Sequence, residues 1–572
     1  MRYVRKDTIE HREYQVNVAE QASRENCVVV LPTGLGKTAV ALQVIASYMA
    51  SCPDAAPAAV LFLAPTRVLV NQHHEFLQNA LTIDDISLVT GEDAAARRKK
   101  LWGASVVCAT PEIARNDLER GMISPDAFGL VIFDEAHRTV GDYAYSAIAR
   151  MLEPAGPRIL GMTATLPSDR DRATEIMARL HIASVAERNE SSPDVRPYVQ
   201  KTETEWFRVD LTPELREMQS LLKRALKSRC EALRACRVSV DENPSLSSLL
   251  RLRDYVLRRN RGAATPLFAA IRIHYALSIL EAHGVTPFLK FCERARKKKG
   301  AGVRALFEAD ADFVQALRIA DRAKRDGIEH PKIAKLTELV GGIDGKILIF
   351  TSYRDSVEMI CEALDKMGVS SGKLIGKAGL TGLKQKQQVE TVRRFQDGEF
   401  RIMVATRVGE EGLDISEVNH VIFYDNVPSS IRYVQRRGRT GRQTVGRLIV
   451  LIAKGTIDET YYWIGKRKIK IAESMGGTMS GMLDLNRQDE GGDGDDVVVD
   501  DDDDDDDDGS DNNTDNGDTA AGSADGGKDS ARAGASADGR EPGGRGRASS
   551  PSTRGTSGAK QPAAEGGLDE YL

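Results

Sequence analysis

A glycine-rich segment, PTGLGKT at residues 32–38, has the residue types that bind a polyphosphate. It follows a short apolar run and precedes an apolar helical pattern, so we predict a strand-to-helix turn whose exposed backbone N–H groups face an anion at the positive end of the helix. Lys37 would reach the β and γ phosphates, and Thr38 would hold Mg²⁺. Leu31 occupies the position where the general pattern has its first glycine. The predicted nucleotide contacts in this turn are Thr33, Gly34, Gly36, Lys37 and Thr38.

Two adjacent carboxylates, Asp134 and Glu135, directly follow the apolar run at residues 130–133. A carboxylate at the end of a strand beside the phosphate turn can hold Mg²⁺ through water. A second carboxylate can orient or deprotonate the attacking water. We therefore predict the metal role for Asp134 and the base role for Glu135.

One further residue on the N-terminal side suits a nucleotide base. Gln15 precedes the glycine-rich turn by about twenty residues, and its amide can both donate to and accept from the edge of adenine. A single Gln is an ordinary surface residue, so its position relative to the turn is what supports this interpretation.

A second arginine-rich segment, QRRGRTGR at residues 435–442, places Arg439 and Arg442 three residues apart among glycines. Such arginines can reach the γ-phosphate of a nucleotide bound elsewhere and stabilise charge in the transition state. Considered alone, the segment could equally be a patch that binds nucleic acid. Its place after the other motifs favours the catalytic interpretation.

These residues need parallel sheets to position them. Short β-branched runs alternate with helical stretches, as in sheets covered on both faces. We predict a first series of strands at residues 28–31, 60–64, 105–109, 130–133 and 159–162, and a second at residues 346–351, 402–405, 420–424 and 447–452. The fold class is therefore α/β with two such domains.

Between these two series, the pattern becomes helical. Residues 208–330 hold 25 Lys/Arg against 15 Asp/Glu, with basic clusters at residues 258–261 and 296–299. The excess of ten positive charges indicates a surface that faces nucleic acid, although solvated helix faces would give a similar composition.

The net charge has opposite signs in the C-terminal segment and in the rest of the chain. The net charge is −5 overall, but residues 489–572 carry −17, which leaves +12 on residues 1–488. Nine consecutive aspartates at residues 500–508 lie in a segment almost without large apolar residues, and such a segment cannot offset the entropy of ordering. We expect a disordered acidic tail, which either solubilises the chain or covers the basic insertion.

The seven cysteines are scattered without a C-x-x-C pair, which argues against a disulfide framework and a zinc site. No stretch has the roughly 18 consecutive apolar residues that a membrane span needs. We therefore expect a soluble protein of the reducing cytoplasm.

With these motifs in order, the first 480 residues resemble superfamily 2 helicases. The helicase motifs match residues 31–38, 64–67, 110–111, 134–137, 163–165, 349–353, 404–415 and 435–442. The resemblance implies two RecA-like domains with ATP and Mg²⁺ between them, and nucleotide contacts from Gly412 and Asp414. It also implies DNA backbone contacts from Thr66, Arg67, Thr110, Thr351 and Thr406. The resemblance further implies that the binding and hydrolysis of ATP are coupled to the binding of DNA through His137, Thr163, Thr165 and Gln435.

Several stretches are more specifically similar to the Hef/FANCM family of DNA repair helicases: residues 116–145, 192–199, 408–415 and 433–442. That family has a helical domain between its lobes that engages branched DNA, which implies 3′-to-5′ motor activity on forks and junctions. An archaeal origin is expected, with association with the nucleoid. Archaeal Hef proteins usually continue into a nuclease domain, whose signature we do not find, so DNA cleavage is not expected.

The last eight residues, EGGLDEYL, resemble the motif that binds sliding clamps. Leu568, Tyr571 and Leu572 would fill the apolar pocket of a clamp, although Glu565 replaces the usual Gln and Leu572 one of the two aromatic residues.

The predicted division of the chain is a first RecA-like domain at 1–205, a helical insertion at 206–330, a second RecA-like domain at 331–485 and the tail at 486–572. The main alternative function is an RNA-dependent ATPase of the RIG-I/Dicer-like branch. A clamp-tethered scaffold without turnover is a third possibility, against which the intact ATP motifs argue.

Overall fold

The alternating sequence pattern forms two parallel sheets, each covered by helices. A computed structural model of the chain describes residues 2–51, 59–199, 202–298, 301–376, 385–409, 418–437 and 446–490. Gly412, Asp414, Arg439, Arg442, the aspartate run and the C-terminal clamp-like residues lie outside these ranges.

The first sheet has seven parallel strands in the order β3-β4-β2-β5-β6-β1-β7. Apolar side chains on both faces are buried, which explains why the strands read as continuous apolar runs. The strands are β1 Cys27–Val30, β2 Ala59–Leu63, β3 Ile86–Val89, β4 Val106–Ala109, β5 Phe128–Asp134, β6 Arg158–Thr163 and β7 Ser184–Glu187.

The second sheet has six parallel strands in the order β10-β11-β9-β12-β13-β8. Its two faces also have separate apolar cores. The strands are β8 Thr202–Val209, β9 Ile347–Phe350, β10 Ser371–Leu374, β11 Ile402–Ala405, β12 His420–Phe423 and β13 Gly446–Ala453. The two parallel-sheet domains of the predicted fold class are thus confirmed.

Eighteen α-helices occur within the described residues. Those of the first lobe are α1 Glu13–Ala22, α2 Lys37–Ser51, α3 Arg67–Ala80, α4 Ala95–Leu101, α5 Pro111–Glu119, α6 Ala144–Leu152 and α7 Arg170–Arg179. Those between the sheets are α8 Pro213–Ala235, α9 Leu246–Arg259, α10 Ala264–His283, α11 Val285–Lys297, α12 Ala301–Phe307 and α13 Ala311–Arg325. Those that follow are α14 Pro331–Gly342, α15 Arg354–Lys366, α16 Gln385–Gln396, α17 Ser430–Arg437 and α18 Ile457–Glu490.

Helices α8–α13 form the insertion, with an apolar core of their own. Its central helix, α10, is buried around most of its circumference. By length and composition alone, the stretch Arg261–His283 could cross a membrane, but 61% of its most apolar window is buried within the protein. Packing inside a helical core accounts for its apolar character.

Strand β8 differs from the predicted organisation. It pairs with β13 along Thr202–Val209, so it belongs to the second sheet although it precedes the insertion in sequence. The predicted boundary between residues 205 and 206 falls within this strand. Because β8 is an edge strand, all of its residues are partly or fully exposed, so it lacks the continuous apolar run that is typical of a central strand.

Helix α18 connects the two lobes. It begins after β13, at the end of the second sheet, and its residues Met475 and Met479 lie in the apolar core of the first lobe. The helix continues to Glu490, a few residues into the segment that we predicted to be tail. A 34-residue helix therefore ties the lobes together.

Candidate functional site

The glycine-rich turn joins β1 to α2 at the carboxyl edge of the first sheet. Gly34 and Gly36 adopt positive φ angles of 94° and 78°, which residues with a side chain rarely tolerate. Lys37 opens α2, and its Nζ donates to the Leu31 carbonyl at 3.2 Å. Thr38 follows in the first turn of the helix, half-buried. The predicted strand, turn and helix are present in this order.

Gln15 lies directly against this turn. Its side chain is buried, and its Nε2 donates to the Leu35 carbonyl at 3.1 Å. A Cβ atom on Gly36 would collide with this amide. Gln15 Oε1 is buried without a hydrogen-bond partner among the described residues. It can therefore accept a hydrogen bond from a ligand beside the turn, as the exocyclic amine of adenine would require.

Asp134 ends β5, and β5 is separated from β1 only by β6. Its buried Oδ2 accepts a hydrogen bond from His73 Nε2 at 2.8 Å. Burial opposes ionisation, but the contact with His73 and the nearby Lys37 ammonium together hold the Asp134 pKa below its ordinary value. The carboxylate is thus ionised at neutral pH, beside the lysine of the glycine-rich turn.

Glu135 has left-handed backbone angles, φ 52° and ψ 48°. This conformation is uncommon for a residue with a side chain and often marks a functional position. Its Oε2 lies 3.2 Å from His137 Nδ1. Burial acts to raise the Glu135 pKa, but His137 and Lys37 outweigh it and lower the pKa. Glu135 is therefore a carboxylate available as a hydrogen-bond acceptor.

The next strand along the sheet contributes the predicted coupling segment. Thr163 ends β6 between the strands that carry the two ATP motifs. Its Oγ1 lies 3.1 Å from His137 Nδ1 and donates to the Thr165 carbonyl at 2.9 Å. A chain of contacts therefore joins Glu135, through His137, to Thr163 and Thr165.

The second lobe approaches the first through α17. Gln435 is buried on this helix, and Arg437 Nη2 pairs with Glu190 Oε2 of the first lobe at 2.7 Å. Arg436 is fully buried, and its Nη1 donates to the Asp425 carbonyl at 3.1 Å. The helix ends at Arg437, immediately before the segment with the two predicted catalytic arginines.

The predicted DNA contacts lie at the carboxyl edges of adjacent strands. Thr66 caps α3 after β2, accepting from the Leu69 amide at 3.3 Å, and Thr110 precedes α5 after β4. In the second sheet, Thr351 follows β9 and Thr406 follows β11, and Thr351 N donates to Ala405 O at 3.0 Å. The buried Thr351 Oγ1 has no partner within the described residues.

Arg67 begins α3 and is not free of local interactions. Its Nη1 pairs with Glu92 Oε1 at 2.5 Å. Because this pair is exposed on both sides, it contributes little to stability and can exchange for a phosphate contact.

The insertion presents a positively charged surface on α9. Arginines and one aromatic residue are exposed along this helix, and Asp254 is its single carboxylate. We call this group, together with Arg261 just beyond the end of the helix, the α9 surface; its other members are Arg251, Arg253, Tyr255, Arg258 and Arg259. The other predicted cluster is partly structural: Arg296 stacks on the Phe307 ring at 5.3 Å and Lys297 pairs with Glu293.

The sequence motifs did not reveal every residue that shapes the site. His73 lies in α3, well away from any acidic motif, and the fold brings it to Asp134. Tyr145 is buried on α6, and its hydroxyl donates to the Asp134 carbonyl at 2.7 Å. Neither position has a local sequence signal, because each acts through a contact distant in sequence.

Comparison with known families agrees with this arrangement. The DEAD/DEAH box helicase model matches residues 12–173, and the helicase conserved C-terminal domain model matches residues 331–444. The two matches cover most strands of the two sheets and leave the helical insertion between them; β7, β8 and β13 lie outside the matched residues.

Individual relatives extend across the insertion. The chain is 35% identical over 474 residues to a Methanocaldococcus jannaschii protein named as an ATP-dependent RNA helicase, covering 80% of this chain and 60% of that one. It is 32% identical over 488 residues to the ATP-dependent DNA helicase MPH1 of Pyricularia oryzae, covering 79% and 44%. The chain thus spans about half the length of these curated relatives.

A solved structure covers the same region. The Hef helicase domain of Pyrococcus furiosus is 36% identical, with a TM-score of 0.61, and the match covers 81% of this chain and 99% of that domain. The matching motifs, two parallel sheets and helical insertion lead to one conclusion: this chain belongs to the Hef/FANCM family of superfamily 2 helicases.

Proposed function

We propose that this protein is a DNA translocase that moves 3′ to 5′ and acts on forked or branched DNA at stalled replication forks. The α9 surface is the observation that supports this proposal most directly. Its exposed arginines lie on a domain inserted between the motor lobes, and none of them is among the residues assigned to ATP or to the tracked strand. Cations spaced along a helix suit the phosphates of a second duplex arm.

The names of the relatives also favour DNA. Pyricularia MPH1 is named as a DNA helicase, and the mouse relative, 30% identical over 529 residues, is named as a Fanconi anemia group M protein homolog. Because the Methanocaldococcus relative is named as an RNA helicase, duplex RNA is the second candidate substrate.

In the proposed ATP site, Lys37 binds the phosphates while the backbone of Thr33, Gly34 and Gly36 surrounds them. Gln15 reads adenine through its buried amide. The ionised Asp134 and the hydroxyl of Thr38 are the kind of oxygen ligands that suit Mg²⁺. That ion would neutralise charge on the phosphates.

Hydrolysis requires a base and a closed cleft. Glu135 accepts the proton of the attacking water, and His137 orients Glu135. Arg439 and Arg442 complete the site from the second lobe, together with Gly412 and Asp414. The Arg437–Glu190 pair supports this scheme because it joins α17 to the first lobe just before these arginines.

Movement along DNA requires contacts with the tracked strand that change as ATP is bound and hydrolysed. We assign backbone contacts with the tracked strand to Thr66, Arg67, Thr110, Thr351 and Thr406, since contacts to phosphate ignore sequence and can be remade at each step. We assign the coupling between ATP and these DNA contacts to the connected residues His137, Thr163 and Thr165 of the first lobe. Gln435, buried on α17, would have the same role in the second lobe.

The clamp-like residues Leu568, Tyr571 and Leu572 add a proposed partner. This assignment depends on the sequence pattern alone. A sliding clamp bound there would keep the motor near replicating DNA.

The test compares ATPase stimulation by forked DNA, single-stranded DNA and duplex RNA. We expect the fork to be the best activator. Arg258→Glu combined with Arg259→Glu should raise the fork concentration for half-maximal activity about tenfold or more, because each reversed charge replaces a phosphate contact with repulsion. Arg318→Glu, an exposed charge reversal on α13, is the matched control.

Lys37→Ala should abolish ATP turnover while leaving fork binding nearly unchanged. Forks with a single 3′ or 5′ arm then give the direction of movement. Stronger activation by duplex RNA would replace the DNA proposal, and no activation by any nucleic acid would refute both.

A further inference from the structure

Two of the three tryptophans of the chain are half-exposed and lie on the second lobe, within reach of the same lysine. Trp206 on β8 and Trp463 on α18 are each 49% exposed, whereas Trp102 is buried in the first lobe. Exposed apolar side chains that are grouped together and rimmed by polar residues often mark a binding surface. The assigned ATP and DNA residues include neither tryptophan.

A lysine joins the two indole rings. Lys466 Nζ lies 5.8 Å from the centre of the Trp206 ring and 5.5 Å from that of Trp463. Tyr462 is buried and contacts both tryptophans: its ring lies 5.1 Å from the Trp463 ring, and its hydroxyl shares a hydrogen bond with the Trp206 side chain. The two rings are therefore held in place before any ligand arrives. We call Trp206, Trp463 and Lys466 the tryptophan patch.

The surroundings of the tryptophan patch are positively charged. Arg208 is exposed on β8 two residues beyond Trp206, and thus on the same face of the strand. Helix α18 continues past Lys466 with further exposed cations: Arg467, Lys468 and Lys470. Within the described part of the chain, no ion pair links these cations to a carboxylate. Their charge is therefore available to an external polyanion.

A ligand with both flat apolar groups and negative charges fits this combination. Single-stranded nucleic acid has both, since bases stack on aromatic rings while phosphates contact neighbouring cations. An acidic peptide would satisfy the cations but would offer the indole rings nothing to stack. The chemistry therefore favours unpaired bases.

The position of the patch agrees with this ligand. Trp206 pairs with Val450, which pairs with Phe423, which in turn pairs with Phe350. Phe350 directly precedes Thr351, one of the assigned backbone contacts. Three strand spacings, about 14 Å in all, thus separate the Trp206 position from the Phe350 position.

We propose that the tryptophan patch binds unpaired bases of a DNA strand that passes over the carboxyl edge of the second sheet. The inference rests on the proposed DNA function and extends it with a stacking site. Lys466 leaves the indole rings for a phosphate as bases stack on them. The patch would bind DNA strands of any sequence, because every base has a face that can stack on an indole ring.

The experiment measures binding of the full-length protein to labelled oligothymidylate and to an abasic strand of equal length and charge. We expect wild type to favour oligothymidylate by about tenfold or more, given the stacking contributed per base. Trp206→Ala combined with Trp463→Ala should remove this preference, whereas Trp206→Phe combined with Trp463→Phe should retain most of it.

Two further variants separate a local effect from misfolding. Met367→Ala removes another exposed apolar side chain of the second lobe and should bind both strands as wild type does. Lys466→Glu retains both indoles and should weaken binding to both strands. An unchanged preference for oligothymidylate in the double alanine variant would overturn the proposal, as would equal binding of both strands by wild type.

Fork-stimulated ATPase is measured on the same samples. Stimulation without a preference for bases would refute the patch alone, whereas absent stimulation would refute the proposed function. A nona-aspartate peptide serves as the acidic-peptide probe. If it quenched the fluorescence of the two tryptophans more strongly than oligothymidylate at equal charge, an acidic protein segment would replace DNA as the ligand.

Discussion

His73 is the residue whose importance at the ATP site comes only from the fold. Its Nε2 donates to Asp134 Oδ2 within a buried environment, and its ring lies 4.5 Å from the Phe62 ring. The contact fixes the orientation of the carboxylate that we assign to Mg²⁺. Partners of this kind behind a metal ligand tune metal affinity without touching the metal.

Replacing His73 by Phe should therefore raise the Mg²⁺ concentration needed for half-maximal ATPase by roughly 10- to 100-fold, the usual cost of losing such a partner. The ring would still pack beside Phe62, but it cannot donate to Asp134. His73→Gln, which keeps a donor, should recover part of the loss. ATPase rates measured against Mg²⁺ at saturating ATP provide the test, and an unchanged Mg²⁺ requirement in His73→Phe would contradict the positioning role.

Residue by residue, the sequence predicted the parts of the site that are local. The turn containing Lys37 and the strand end containing Asp134 need only a few neighbouring residues to be recognised. His73 and Tyr145 could not be predicted, because their contacts join α3 and α6 to the end of β5. The tryptophan patch also has no local sequence signal, because Trp206 and Trp463 are far apart in the chain and only the fold brings both close to Lys466.

Among the secondary-structure elements, α18 is the helix that links the two lobes. It leaves the second sheet and buries methionines in the core of the first lobe. Where it crosses β7, Gly476 lies directly against the Glu187 side chain, so a Cβ at that position would meet the carboxyl group. Burial raises the Glu187 pKa to about 7, with the neighbouring Glu473 adding to the effect.

This raised pKa predicts that the α18 contact weakens at alkaline pH. The folded protein holds the proton more tightly than the unfolded chain, so the stabilisation is complete below about pH 4.5 and is lost as the pH rises through about 7. Glu187→Gln stays neutral, so it should match wild type near pH 5 and unfold a few degrees higher near pH 8.

Thermal unfolding midpoints measured between pH 5 and pH 8 provide the comparison. Glu20→Gln, an exposed carboxyl on α1, controls for the general effect of removing a charge. Equal pH profiles for wild type and Glu187→Gln would show that Glu187 does not govern this contact.

The elements also show where sequence patterns fail. Buried central strands such as β5 were found because both of their faces are apolar. The strands at the outer ends of the sheets, β3, β7, β8 and β10, were missed. Each lies at the edge of its sheet and is short or partly exposed, so its composition resembles that of a loop. The predicted boundary inside β8 has the same cause.

In the whole molecule, the helical insertion is attached to the second lobe. Buried contacts join it to the second lobe: Glu281 Oε2 accepts from the Ile457 amide at 2.6 Å, and His283 Nδ1 lies 2.9 Å from Ser356 Oγ. Burial lowers the His283 pKa to about 4, so the ring is neutral at physiological pH and can share this hydrogen bond.

Ion pairs reinforce the same attachment. Lys290 pairs with Glu358 at 2.5 Å, and Arg294 pairs with Asp355 at 2.7 Å. Both pairs connect α11 of the insertion to α15 of the second lobe. Since polar contacts fixed at several points resist sliding, the insertion and the second lobe should move as one body when the ATP cleft closes.

Distance measurements during nucleotide binding test this directly. Fluorophores at position 318 on α13, position 367 after α15 and position 75 on α3 report on the insertion, the second lobe and the first lobe, respectively; all three sites are exposed. On addition of a nonhydrolysable ATP analogue, the 318–367 transfer efficiency should stay constant while the 318–75 efficiency changes. Since the proposed ATP site uses residues of both lobes, the α9 surface would then be displaced relative to the first lobe in each ATP cycle. A change in the 318–367 pair as large as that in the 318–75 pair would mean that the insertion moves independently, and the motor would need another way to transmit force to branched DNA.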